Sequence, residues 1–172
     1  MRPAAAGAAL MRRKAKRCKP VVHLSLGPLP AKSADQFAGR LLVFSDASLK
    51  RQAAGVAVLF ADPTAEPQVA TRIFATMGSN ELELRAALFA LAQAAQLYPA
   101  AEPALFCDNQ DAVLRLQRAK ILGLAQDSAL AAMLPELDLA AALARATVHW
   151  VKGHGACRGN ALADHYAALA AD

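Results

Sequence analysis

Between Thr76 and Ser79 the hydrophobic pattern changes its period, and that change limits what the chain can fold into. Upstream, three short apolar runs follow one another: Leu41–Phe44, Gly55–Phe60 and Val69–Thr76. Such runs read as strands, and the polar tip Leu49–Gln52 joins the first two into an antiparallel meander. Downstream, Leu84, Leu88, Leu91 and Ala95 recur at helical spacing from Ser79 to Leu97, and Pro99 stops that helix. A fourth strand, Ala104–Cys107, leads through Asp108 into a helix from Gln110 to Lys120. The Ala- and Leu-rich stretch Asp127–Ala146 reads as helix that Pro135 kinks or divides. Val148–Val151 is a fifth strand, Lys152–Gly159 a glycine-containing loop, and Asn160–Ala171 a terminal helix. The order predicts an α/β fold: a five-stranded mixed sheet, three antiparallel strands then two parallel, flanked by helices.

A chain of 172 residues that is 56% apolar suits one domain with a substantial core. No run of about 18 apolar residues implies a membrane span. Cys18, Cys107 and Cys157 form no CxxC pair, which argues against a disulfide framework or thiol zinc site and suits a reducing cytoplasm. Charge is unevenly spread. Residues 1–40 carry nine Lys or Arg against Asp35 alone, whereas residues 41–172 carry ten bases against thirteen acids. The cluster Arg12, Arg13, Lys14, Lys16, Arg17, Lys19 suits contact with a phosphate backbone; equally, the stretch reads as a solvated, disordered leader, or as extra residues upstream of a start at Met11. The apolar stretch Ala4–Leu10 is short and precedes the charges, unlike a secretory signal; an Arg-rich transit peptide is a third reading. Pro20–Pro30 holds a small apolar patch, followed by polar linker to Gly39. The expected division is therefore a basic, partly disordered arm and linker over 1–39 and a folded domain over 40–172.

Four acids stand where strands end or helices begin: Asp46, Glu83 in the first helical turn, Asp108 and Asp164. Sites in α/β sheets are built at the carboxyl edge of the strands, where these four could meet. Converging carboxylates repel, so they require raised pKa values or a cation, and hard oxygen ligands open to water suit Mg²⁺. Each acid also has a structural reading. Asp46 and Asp108 suit caps or turns, Asn80-x-x-Glu83 suits a capping box, and Asp164 suits an exposed helix face.

The sequence Trp150-Val151-Lys152-Gly153-His154-Gly155, followed by Asn160 and Asp164, adds a second signal. Here the chain resembles the type 1 ribonuclease H family, whose last strand ends in W-V-K-G-H with the final acid ten residues beyond the His. Phe44-Ser45-Asp46-Ala47-Ser48 is similar to the family's first-strand motif, Asn80–Ala87 to its N-x-x-E-L-x-A helix start, and Cys107-Asp108-Asn109-Gln110 to its D-S-Q motif. The resemblance runs in order from about Arg40 to the C-terminus. It implies an endonuclease that hydrolyses the RNA strand of RNA·DNA hybrids by a two-metal-ion mechanism, leaving 5′-phosphate and 3′-hydroxyl ends. By the same resemblance Asp46, Glu83, Asp108 and Asp164 hold two Mg²⁺ or Mn²⁺ ions, and Asp46 bridges them. His154 shuttles a proton or helps release product, and Asn80, Gln110, Ser48, Lys152 and Asn160 contact the substrate. The implied enzyme is monomeric. Glu81, two residues from Glu83, lies on a different helix face and cannot replace it.

Departures from the pattern are specific. Ala47 replaces the usual Gly, Asn109 the usual Ser, and the first hairpin lacks N-P-G. Residues 121–146 lack the Lys/Arg cluster that many relatives use to hold the hybrid, a charge the N-terminal arm would have to supply. Two other classes compete: a catalytically silent hybrid-binding module, expected to have lost an acid, and an integrase-like or junction-cutting nuclease, disfavoured by the W-V-K-G-H loop. A zinc site from His154, Cys157 and His165 has too few ligands at suitable spacing.

Overall fold

The computed structural model describes residues 21–172; the basic cluster Arg12–Lys19, Cys18 and the Ala4–Leu10 stretch lie outside the described residues. Strands β1 (Leu41–Leu49), β2 (Ala53–Phe60), β3 (Gln68–Phe74), β4 (Pro103–Cys107) and β5 (Thr147–Trp150) form one sheet in the order β3-β2-β1-β4-β5. The first three pair antiparallel, and β4 pairs parallel with both β1 and β5, the mixed arrangement expected from the sequence. Six helices follow the chain order: α1 (Ala31–Ala34), α2 (Ser79–Leu97), α3 (Gln110–Leu122), α4 (Ser128–Ala132), α5 (Leu139–Arg145) and α6 (Arg158–Ala170).

Strand alternation divides the core in two. Leu41, Val43, Leu59, Leu105 and Val148 meet Leu84, Leu88 and Leu91 of α2, Leu116 of α3 and Leu143 of α5. Leu42, Phe44, Val56, Val58, Phe60 and Phe106 face the other way, onto Ala163 and Ala167 of α6. Covered on both faces, β2 is buried at all eight positions, which is why its sequence is unbroken apolar.

Several boundaries differ from the sequence reading for identifiable reasons. β1 does not end at Asp46, because the hairpin register continues to Leu49 opposite Ala53. Gly78, with no side-chain cap, stands at the N-cap of α2. Asn80 is therefore not a cap, and Glu83 lies in the second turn, so the capping-box reading fails. Pro135 does divide its segment, and Asp127 and Asp138 accept from the Leu130 and Ala141 amides to start the two short helices. Residues ahead of Arg40 are also packed. Leu29 is buried, and Phe37 meets Phe106 and His149 edge-on. The packed body thus begins at Ser25, whose amide donates to Ala156 O at 2.8 Å, and not near Arg40.

At its N-terminal end α6 presses directly on β1. A Cβ built on Gly159 would overlap the Phe44 ring, which is fully buried. Gly159→Ala must push helix and strand apart, and overpacking of this kind costs about 2–3 kcal/mol. The variant should melt roughly 4–12 °C below the parent by calorimetry. An unchanged Tm would show that α6 can slide without cost.

Candidate active site

The parallel pairing of β1 with β4 ends at Ser45 opposite Cys107. The next residue on each strand is an aspartate, and neighbouring strands lie about 4.8 Å apart, so register alone sets Asp46 and Asp108 side by side at the carboxyl edge. From one face α2 brings in Glu83; from the other α6 brings Asp164. The carboxyls of Asp46 and Glu83 are within hydrogen-bonding reach of each other, and the charges of Asp108 and Asp164 act on both.

Burial dominates the electrostatics. Asp46 is 5% exposed, and desolvation, followed by the charge of Asp108, pushes its pKa up to about 7. Glu83 is pushed up to about 9 by desolvation, then by the charges of Asp46 and Asp108. In its protonated form Glu83 donates to Asp46, while its Oε2 is buried without a partner. One donor atom each from Glu83, Cys107 and Asp108 lies within 4.8 Å of the others. Convergent oxygens, an orphaned buried lone pair and open access at Asp164 fit a hard divalent cation that keeps part of its water. Cys107 was not singled out from the sequence. Burial pushes its thiol up to about 12, and its Sγ accepts from the Asn109 amide at 3.4 Å, so it borders the carboxylates as a neutral group.

Asp108 is held from several sides. Trp150 Nε1 donates to its carbonyl at 3.0 Å, and Asn160 Nδ2 points at its Oδ2 at 3.5 Å. Asn160, expected among the substrate contacts, is 2% exposed, and burial removes it from that group. Its place is behind Asp108. Gly153 touches the same carboxylate, since a Cβ there would lie 2.7 Å from Asp108 Oδ2. His154 has a left-handed backbone with φ 51°, and its Nδ1 stands 4.0 Å from Asp164 Oδ2 with the ring largely in solvent.

The remaining expected contacts lie near this edge. Asn109 caps α3 by accepting from the Ala112 amide at 2.9 Å, and its Nδ2 donates to Asn80 Oδ1 at 3.1 Å, tying the starts of α2 and α3 together. Asn80, Gln110 and Lys152 are exposed and Ser48 is half-buried. Glu81 faces away and pairs with Arg85 at 3.0 Å. The zinc alternative is not assembled: Cys157 is buried against Pro28 O, and the His165 ring packs on Tyr166.

Sheet order, crossover pattern and carboxylate edge together define a ribonuclease H fold. Solved structures of that class superpose on the chain. The PFV RNase H domain in solution matches with a TM-score of 0.59 at 17% identity, over 77% of this chain and 94% of that one. The protease-reverse transcriptase of prototype foamy virus matches with a TM-score of 0.57 at 19% identity; 88% of this chain is covered, but only 22% of that longer protein. RNase H1 from the halophilic archaeon Halobacterium salinarum NRC-1 matches with a TM-score of 0.52 at 18% identity, over 77% of this chain and 99% of that one. No family model matches the sequence, and no curated protein does.

Two expectations follow from this geometry. Folding raises the pKa values of Asp46 and Glu83, so between about pH 4 and 9 the native state holds more protons than the unfolded one, and metal-free stability falls as pH rises. In EDTA, Tm should drop between pH 5 and pH 9, by roughly 4–8 °C for about 2 kcal/mol. Mg²⁺ should recover most of the loss at pH 9 and little at pH 5; a Tm independent of pH and metal would contradict a converged acidic cluster. Separately, Gly153→Ala should displace the Asp108 carboxylate and lower any metal-dependent turnover by roughly 10²-fold, with Tm nearly unchanged. Parental turnover would show that Asp108 tolerates the displacement.

Proposed function

We propose that the chain is a metal-dependent endonuclease that hydrolyses the RNA strand of RNA·DNA hybrids, leaving 5′-phosphate and 3′-hydroxyl ends. One observation carries the reading: on a ribonuclease H fold, four separate elements bring Asp46, Glu83, Asp108 and Asp164 to one sheet edge, where burial first and neighbouring charge second push the pKa values of Asp46 and Glu83 up. A purely structural cluster would gain nothing from that repulsion.

Asp46, Glu83, Asp108 and Asp164 would hold two Mg²⁺ or Mn²⁺ ions. When bound, such ions neutralise the phosphodiester, lower the pKa of water and stabilise the leaving 3′ oxygen. The protein's own groups do the rest. Buried Asp46 and half-buried Glu83 form the floor of the site, and Asn160, Trp150 and Gly153 fix the position of Asp108. His154 Nδ1, beside Asp164 and in contact with solvent, can take a proton from or return one to the reacting phosphate. Exposed Asn80 and Gln110, at the starts of α2 and α3, would face a bound backbone, and Lys152 and Ser48 would contact it as well. Hydrogen bonds from such groups to 2′-hydroxyls would select RNA as the cut strand.

Cleavage of an end-labelled RNA strand annealed to DNA tests the proposal, with single-stranded and duplex RNA as controls. Internal cuts should appear only in the hybrid, require Mg²⁺ or Mn²⁺, and disappear with EDTA or in Asp108→Asn. Losing one repelling charge, Asp108→Asn should be at least as stable as the parent in EDTA. A folded parent that binds hybrid but never cuts it would replace the nuclease with a binding module, and Ala47 and Asn109 would be the first positions to restore.

A further inference from the structure

A sheet has two edges, and this one treats them differently. β5 is only four residues long, and carbonyls at and just before it are taken by side chains of α3: Gln117 Nε2 donates to Val148 O at 2.8 Å and Lys120 Nζ donates to Ala146 O. β3 has no such protection. Its register with β2 runs unbroken from Gln68 to Phe74, so no bulge turns it away, and no Lys or Pro interrupts it. Among the described residues no hydrogen bond other than the pairing with β2 reaches its backbone. A row of outward N–H and C=O groups about 24 Å long is left open.

The side chains add an apolar surface to that edge. Alternation sends Ala70, Arg72 and Phe74 to the α2 face and Val69, Thr71 and Ile73 to the other. Val69 and Ile73 are 36% and 48% exposed and Thr71 is exposed, three β-branched residues suited to a cross-strand neighbour. The strand's one charge is withdrawn, since the Arg72 guanidinium lies 5.4 Å from the centre of the Phe74 ring and pairs with Glu136. The sequence is also its own complement. Paired antiparallel about a two-fold axis at Thr71, every residue of β3 finds a partner: Val69 meets Ile73, Thr71 meets Thr71, Ala70 meets Arg72 and Gln68 meets Phe74. A register centred one residue earlier draws in Pro67, which has no N–H to give, and one centred a residue later sets Arg72 against its own copy.

We propose that β3 is a self-association edge, which joins two copies of this chain through antiparallel β3 strands centred on Thr71 into one ten-stranded sheet. A second copy is the occupant that the strand itself specifies, matched at every position with no like charges opposed. This departs from the monomer that the family resemblance implies. β3 runs parallel to β1, both being antiparallel to β2, so the two-fold axis reverses the partner's β1 and puts the two carboxylate edges at opposite ends of the joined sheet. Pairing therefore leaves each site open and stands or falls independently of the nuclease reading. An edge about 24 Å by 10 Å is small beside the ~800 Å² that each partner of a stable dimer buries, so assembly depends on concentration.

The test uses the full-length chain, with sedimentation equilibrium from about 5 to 500 µM. The weight-average mass should rise from one chain towards two, with half-assembly on the order of 100 µM. Thr71→Lys sets two like charges at the axis and should move half-assembly up by about tenfold or more, with a parental Tm as the folding control. Register is read by cross-linking in a Cys18→Ser background. Facing residues of an antiparallel pair have Cα atoms about 4.5–5.5 Å apart, within disulfide reach, whereas Val69 and its own copy would be about 14 Å apart. With oxidised glutathione, Thr71→Cys should therefore give about tenfold more disulfide-linked dimer than Val69→Cys. A chain that stays monomeric throughout and does not cross-link through Thr71→Cys would overturn the proposal. So would assembly that Thr71→Lys leaves unmoved, or equal cross-linking by the two cysteine variants, since either places the contact on another surface.

Discussion

Everything at the proposed site depends on the parallel pairing of β1 with β4. Because that pairing stops at Ser45 and Cys107, two aspartates one residue further on are compelled to be neighbours. No side-chain attraction brings them there; backbone hydrogen bonds and the packing of both sheet faces do. Glu83 is then added by α2 and Asp164 by α6, each against the repulsion of those already present. The sheet can impose this because its central strands are sealed between two apolar layers, and burial of that extent outweighs a few kcal/mol of local electrostatic cost. The carboxylates are in turn what a divalent cation would compensate, so fold stability and metal affinity are two sides of one balance.

The supports around Asp108 follow from the same constraint. A carboxylate pressed towards other carboxylates turns away unless held. The Trp150 indole fixes its backbone, Asn160 offers an amide to its Oδ2, and Gly153 leaves no room for retreat on the loop side. Trp150, Gly153 and Asn160 therefore hold Asp108 in place from three sides.

Much of this was legible in the sequence because it is written in local pattern. Unbroken apolar runs mark β1, β2 and β4, and helical spacing ended by Pro99 marks α2 with its bounds intact. Motif spacing marks the four acids. What escaped depends on partners distant in the chain. Ser45 to Ser48 look like the end of a strand until β2 is known to continue opposite them. Asn80 is a better intrinsic cap than Gly78, but the backbone turns into helix earlier, and the Asn80 side chain is used to meet Asn109. Asn160 reads as the polar start of the terminal helix and as a substrate contact, and only the packing of α6 buries it. The segment before Arg40 has the composition of a linker, yet Leu29 and Phe37 pack into the core layer beside α6 and β5.

One feature of composition links packing to the site more directly. The high alanine content lets helices pack on the sheet through small side chains. Ala86, Ala87, Ala90 and Ala94 of α2 are all fully buried, and opposite Ala86 the sheet presents Gly55. A Cβ on Gly55 would come within 3.0 Å of the Ala86 Cβ and 2.8 Å of the Phe74 ring, so α2 rests on β2 closely enough to leave no space for a side chain there. Ala86 is three residues beyond Glu83, one helical turn along the same face. The depth to which α2 sinks at Gly55 thus sets how far Glu83 enters the cluster, and with it how strongly the carboxylates repel. Solved structures at 17–19% identity share the fold in which this contact is set.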